Sequence, residues 1–316
     1  MIAAAAAVAA ASFGPGMAGA ATATGGRPSG NRSGSGTAGK HASAARGVPV
    51  DKRRFEPNAC VSFAPTHGNV HHTVFLDAGH GGIDPGGQGI TQTGRTIYES
   101  PSNLAVELKT MRLLTAKGFR VVVSRTTATE VARLTPADRT GGILSVQGAR
   151  ADVAARDECA NLAHATLLVG LYLDTGTSPL NAGCMTAYDA SRPFAAKSRA
   201  FATLLQSDVL SRLNAHGWQI PNDGVQTDAT LGGQPLTTTA ASYQHLLLLG
   251  PGLAGWFTTP SQMPGALIEP LFITDPFEGS IAVSAAGRTA IALGTAQAVE
   301  QYFHVGGGKG SKAHGS

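Results

Sequence analysis

Short apolar runs alternating with amphipathic helical stretches predict a single α/β domain, a β-sheet with helices on both of its faces. Three observations carry this. The alternation begins at Thr73–Ala78 and continues to Phe303 with no internal repeat. The first helical stretch runs into Gly118, a residue suited to a helix C-cap. And 316 residues, 42% of them hydrophobic, are enough for one sizeable core.

The elements follow in order. TVFLDA, Thr73–Ala78, is a strand, and NLAVELKTMRLLTAK, Asn103–Lys117, has apolar residues at helical spacing. FRVVVS, Phe119–Ser124, is a second strand, followed by an Ala-rich amphipathic helix at Ala149–Ala165. Thr166–Leu173 and Gly183–Tyr188 are strands, and Ala195–Ala215 is a helix. His245–Leu249 and Ala266–Ile268 read as two more strands before a closing helix at Ala285–Phe303. In such sheets, ligands bind beyond the carboxyl ends of the strands.

The flanks differ. Residues 1–21 are an apolar, Ala-rich run too short to span a bilayer, with AGA at Ala18–Ala20 placed like a signal-peptidase site. This predicts export without stable membrane insertion. Residues 22–57, Gly/Ser/Ala-rich and basic, are expected to be a disordered linker, and 306–316 a disordered tail, around a domain at 58–305. The flanks carry Arg27, Arg32, Lys40, Arg46, Lys52, Arg53, Arg54, Lys309 and Lys312. The interval between them keeps 15 basic and 18 acidic residues, a formal charge of −3. The basic pI therefore belongs to the flanks, and the fold offers no basic face for nucleic acid. A basic linker would hold the protein near an anionic polymer. Cys60, Cys159 and Cys184 show no metal-type spacing, and in an exported chain they allow one disulfide and one free thiol, with the pairing open.

The residues that end the strands carry the chemistry. VFLDAGHGGIDPGG delivers Asp77 and His80 into a glycine-rich loop. LLVGLYLD stays apolar until Tyr172 and Asp174, which strand alternation puts on one face with Gly170. GALIEP ends at Glu269, a lone carboxylate at the sheet rim where burial would raise its pKa toward that of a general acid or base. Glu99 precedes the first helix. One histidine with separated carboxylates reads either as a metal site or as ordinary polar rim residues. Trp218, Trp256 and the stretch Asp223–Thr239 read as lining for a groove or as core.

In that order, DAGHGGIDPGG, Glu99, NLAVELKTMRLLTAKGFRVVVSRTT, AGCMTAYD and PGALIEPLF resemble the zinc-dependent N-acetylmuramoyl-L-alanine amidases of the amidase-3 family, over about residues 72–303. The resemblance implies a mixed, mostly parallel β-sheet between helices and a monomer that is secreted or wall-associated and acts on peptidoglycan. It implies one Zn2+ held by His80, Glu99 and a third ligand, with Glu269 as the catalytic base. Asp77 is expected to orient His80, and Asp174 to support Tyr172. The family's third ligand is a histidine, and here that position is Tyr172. A phenol must lose a proton, with an unperturbed pKa of about 10, before it ligates. Three alternatives follow: Tyr172 ligates as tyrosinate, His245 substitutes for it, or zinc is weak or absent and the chain binds wall polymer or regulates another hydrolase without cutting. His67, His71, His72, His164, His216 and His304 have no comparable context.

Overall fold

The computed structural model describes residues 47–231 and 243–307. The signal segment, the linker up to residue 46, the tail beyond 307 and residues 232–242 of the chain lie outside the described residues. The strands are β1 Val48–Pro49, β2 Ala59–Phe63, β3 Thr73–Ala78, β4 Gln88–Ile90, β5 Thr96–Tyr98, β6 Arg120–Arg125, β7 Arg139–Thr140, β8 Ile143–Leu144, β9 Leu167–Leu171, β10 Cys184–Tyr188, β11 Asn222–Thr227 and β12 Gly265–Glu269. The helices are α1 Glu99–Ala116, α2 Val146–Leu162, α3 Ala195–Asn214, α4 Pro276–Val283 and α5 Ala285–Gly307.

Eight strands form one mixed sheet in the order β1-β2-β6-β3-β9-β12-β10-β11. The central strands β6, β3, β9 and β12 are mutually parallel. β2 pairs antiparallel to β6. β10 pairs antiparallel to β12, and β11 runs parallel to β10. The carboxyl ends of β3, β6, β9 and β12 therefore share one edge of the sheet, and those of β10 and β11 share the opposite edge. The register shows this directly, because Met185, near the start of β10, lies opposite Glu269 at the end of β12.

Period-two alternation along the central strands feeds two cores. Val74, Leu76, Val121, Val123, Val169 and Ile268 pack against α1, α3 and α5. Phe75, Val122, Leu168 and Leu267 face the other way, toward α2 and the loop bearing Leu248, Leu249 and Met263. Burial of each large apolar side chain contributes about 1.5–3 kcal/mol. The helix starts follow local chemistry. Ser145 caps α2 by accepting from the Gly148 N–H at 3.1 Å. Asp275 caps α4 by accepting from the Phe277 and Glu278 N–H groups, ahead of Pro276 at the first helical position.

Four expectations are corrected. The packed fold starts upstream of residue 58, because β1 pairs with β2 and Phe55 is buried against Val131 and Cys60. The run His245–Leu249 is a turn, with Leu249 N and Gly250 N both donating to Leu246 O. A short apolar run cannot by itself distinguish a strand from a buried turn. Asn222–Thr227, overlapping the Asp223–Thr239 stretch to which no strand was assigned, is edge strand β11, held on one side only by β10. Its Asn, Asp and Gly residues hide it, since these are depleted in strands. Finally, α1 begins at Glu99 rather than Asn103, because Pro101 is tolerated within a first helical turn. Cys60 on β2 and Cys159 on α2 form the disulfide, and Cys184 is a buried free thiol.

Candidate active site

The loop after β3 and the first turn of α1 bring His80 and Glu99 together. His80 sits at φ 63°, a left-handed conformation that is uncommon outside glycine and here turns the ring back over the loop. Gly86 and Gly87 make room for the pair. A Cβ at Gly86 would lie 2.7 Å from the His80 ring, and one at Gly87 would lie 2.6 Å from Glu99 Oε1. Glu99 Oε1 accepts from Gly87 N at 2.7 Å, and the carboxylate sits at the positive end of α1. Glu99 Oε2 lies 3.3 Å from His80 Nε2. The opposite ring nitrogen, Nδ1, is 2.8 Å from Asp84 Oδ2. Burial disfavours charge on the imidazole, but Glu99 and Asp84 outweigh it and raise its pKa to about 10.

Asp174 and Glu269 meet beside this pair. Burial together with the proximity of Asp174 and Glu99 holds the Glu269 pKa well above the ordinary carboxylate range. Burial likewise raises Asp174, to about 7. One carboxyl thus keeps a proton, because two buried like charges cannot both ionise in contact. Glu99 Oε2, Asp174 Oδ2 and Glu269 Oε2 are all buried with no hydrogen-bond partner among the described residues. Unpaired buried carboxylate oxygens are costly, and Glu99 Oε2, 3.3 Å from His80 Nε2, could pair with the imidazole in holding a cation. The donor types, imidazole nitrogen and carboxylate oxygen, suit zinc.

The Tyr172 ring stands edge-on to the His80 ring, with centroids 5.7 Å apart. β9 ends at Leu171, so strand alternation does not extend to Tyr172 and Asp174, and the two side chains part. Asp174 turns to Glu269. The Tyr172 ring lies over Gly79, where a Cβ would come within 2.4 Å, and its hydroxyl donates to Asp77 Oδ2 at 2.9 Å. Burial and the Asp77 charge push its pKa well above 10, in keeping with a hydroxyl that donates to Asp77. Asp77 does not reach His80. Its other oxygen accepts from Arg156 Nη1 at 2.7 Å. Arg156, fully buried on α2, also donates to the carbonyls of Ala78 and His80, each at 2.8 Å, and to Asp152. Asp84 is the partner that sequence reasoning missed, four residues after His80 in the same loop. Arg156 was also missed, because nothing local marks one arginine on an amphipathic helix as buried.

His245 does not join this site. Its Nδ1 faces Asp189 and Asp228 at 2.8 and 3.4 Å. Those residues directly follow β10 and β11, so this group stands at the opposite edge of the sheet. Trp218 stacks on His216 and packs at the margin of the α1–α3–α5 core, and Trp256 lies under the Arg150 guanidinium. The two do not meet in a common groove.

A sequence model of the family Amidase_3, described as N-acetylmuramoyl-L-alanine amidase, matches residues 74–301. No curated protein sequence matches the chain. Among solved structures, the CwlD amidase from Clostridioides difficile, in complex with the GerS lipoprotein, aligns with TM-score 0.55 and 20% identity, over 74% of this chain and 100% of that one. AmiC2 of Nostoc punctiforme, an N-acetylmuramoyl-L-alanine amidase, aligns with TM-score 0.51 and 18% identity, over 75% and 99%. The catalytic domain of CwlV from Bacillus (Paenibacillus) polymyxa var. colistinus aligns with TM-score 0.50 and 21% identity, over 74% and 99%. At these identities the structures establish a shared fold.

Proposed function

Because the chain belongs to the Amidase_3 family of N-acetylmuramoyl-L-alanine amidases, we propose that the His80–Glu99–Asp174–Glu269 edge of its sheet is where it cleaves the amide between N-acetylmuramic acid and L-alanine in peptidoglycan. The observation that carries this placement is the His80–Glu99 pair, Nε2 to Oε2 at 3.3 Å, with unpartnered buried carboxylate oxygens on Glu99, Asp174 and Glu269. His80 through Nε2 and Glu99 through Oε2 would hold Zn2+. Zinc bound there would lower the pKa of a water molecule and polarise the scissile carbonyl.

The remaining work falls to this chain's own side chains. Glu269 is the proton carrier. Its unpartnered Oε2 takes a proton from the attacking water and returns it to the departing L-alanine nitrogen. Asp174, beside Glu269, shares the pair's proton with it, and a dication bound at the site would favour the ionised, proton-accepting form of Glu269. Asp84 fixes the His80 ring through Nδ1, so that Nε2 faces Glu99. Arg156 and the Tyr172–Asp77 bond hold the Ala78–His80 backbone from behind.

The apolar N-terminal run and basic linker support export and retention near the anionic wall. No helix among the described residues is long and apolar enough to cross a membrane. We place the protein outside the cell or on the wall, acting as a monomer without a nucleic-acid partner.

The test is metal analysis of the purified chain together with release of L-alanine N-termini from purified walls. Bound zinc and new N-termini that depend on Glu269 are the expected result. Wall binding without zinc or release would overturn it.

A further inference from the structure

The group at the other edge of the sheet has the makings of a site of its own. In the parallel ladder of β10 and β11, Tyr188 pairs with Thr227. The next residues, Asp189 and Asp228, therefore leave the two strands side by side, and the chain returns over them at His245. One ligand atom from each of the three residues lies within 4.8 Å of the others. Asp189 is 3% exposed and Asp228 1% exposed.

Each carboxylate is pre-set by its other contacts. Asp189 Oδ1 accepts from Ser191 N, Ser191 Oγ and Arg192 N, which leaves Oδ2 aimed at the group. Asp228 Oδ2 accepts from Leu246 N at 3.1 Å, which ties it to the returning segment. Asp189 Oδ2 is 2.8 Å from His245 Nδ1, yet it is buried with no hydrogen-bond partner among the described residues. The two atoms are close but are not aimed as donor and acceptor. The same Nδ1 makes a long hydrogen bond, 3.4 Å, with Asp228 Oδ1 and lies 3.4 Å from its Oδ2. A single N–H cannot serve carboxylates on two sides, whereas a metal ion can accept a lone pair from each of the three groups at once. Arg192, the nearest guanidinium on the same loop, is spent on the carbonyls of Leu249, Gly250 and Ser261.

We propose that Asp189, Asp228 and His245 form a second divalent-cation site, separate from the amidase centre, that takes a transition dication of the zinc type. One imidazole with two carboxylates selects this class over Ca2+ and Mg2+, which take all-oxygen shells. With neutral His245 the two carboxylates carry two negative charges, which the dication neutralises. The site joins the ends of two strands to a residue farther along the chain. Its role is structural: it holds the β10–β11 edge and the His245 turn as one unit.

The test is zinc stoichiometry of the full chain by equilibrium dialysis and metal analysis. The variants are His80→Ala/Glu99→Gln, His245→Asn, Asp189→Asn and Asp228→Asn. The expected result is about two equivalents in the unmodified chain and about one in His80→Ala/Glu99→Gln, with that remaining equivalent lost when His245→Asn or Asp189→Asn is added. Zinc should raise the unfolding temperature of His80→Ala/Glu99→Gln but not that of the combined variant. If His80→Ala/Glu99→Gln binds no zinc, or keeps it after His245→Asn and Asp189→Asn, the proposal fails. Failure of the amidase-centre reading looks different, with His245→Asn then binding no zinc while His80→Ala/Glu99→Gln loses none.

Discussion

Glu269 and Tyr172 show how much one side chain's surroundings decide. Glu269→Gln keeps the shape of the side chain but removes the proton carrier, so kcat should fall roughly 10²–10⁴-fold. Zinc content should stay unchanged, as metal analysis beside a turnover assay would show. Tyr172→Phe removes only the hydroxyl that donates to Asp77. It should leave zinc content intact and cost about 1–3 kcal/mol in denaturant unfolding, because a buried carboxylate oxygen loses a partner. Loss of zinc in this variant would restore Tyr172 as a ligand. Asp174 makes a pH prediction. Burial raises its folded pKa to about 7 from 3.8. The folded state therefore holds a proton that the unfolded state releases. That contribution is fully present below pH 3.8 and is lost as pH rises toward 7. Glu269, raised by burial and by Asp174, acts in the same direction. With chelator present, Asp174→Asn should flatten the decline in urea-unfolding stability across that window. An unchanged slope would remove Asp174 from the coupled pair.

Among the elements, α2 fastens the reactive loop to the sheet. Arg156 reaches from it to the Ala78 and His80 carbonyls and to Asp77, at 1% exposure. Removing one partner of a buried ion pair leaves the other uncompensated, so Arg156→Ala should cost about 3–5 kcal/mol. Arg156→Lys should recover part of the stability but not the forked contacts. The same helix carries Cys159, bonded to Cys60 across 99 residues. By loop-closure entropy a disulfide of about that span stabilises by roughly 4.7 kcal/mol, which unfolding with and without reductant would measure. A loss well below about 1 kcal/mol would mean that the two segments are already held together in the unfolded chain. The element pattern was largely legible from hydrophobic period: β3, β6, β9, β10, β12, α2, α3 and α5 lie close to where the apolar spacing put them. β11 was not, because an edge strand half open to solvent needs no strong apolar signature, and β2, buried between β1 and β6, is a five-residue run beside the expected linker that gave too short a signal. His245–Leu249 misled because its leucines are buried beneath a turn.

Across the whole molecule, the reversal between β12 and β10 sorts the chemistry to two edges. His80, Glu99, Asp174 and Glu269 gather where four parallel strands end, and Asp189, Asp228 and His245 where β10 and β11 end. Most of the basic flank, residues 1–46, lies outside the described residues. Deleting residues 1–46 should leave zinc content unchanged and weaken cosedimentation with walls mainly at low salt, since interactions of exposed charges are screened within about 10 Å at 0.1 M. The sequence alone was enough for the α/β class and the order of the motifs, because these depend on local periodicity, while the family resemblance carried by those motifs singled out His80, Glu99 and Glu269 among the residues at strand and helix ends. It left open which cysteines pair, where Tyr172 points, what orients His80 and where His245 stands. Those are contacts between segments far apart in the chain, set by strand order, by the polarity of β10 and by what is buried together, and the tertiary structure alone decided them.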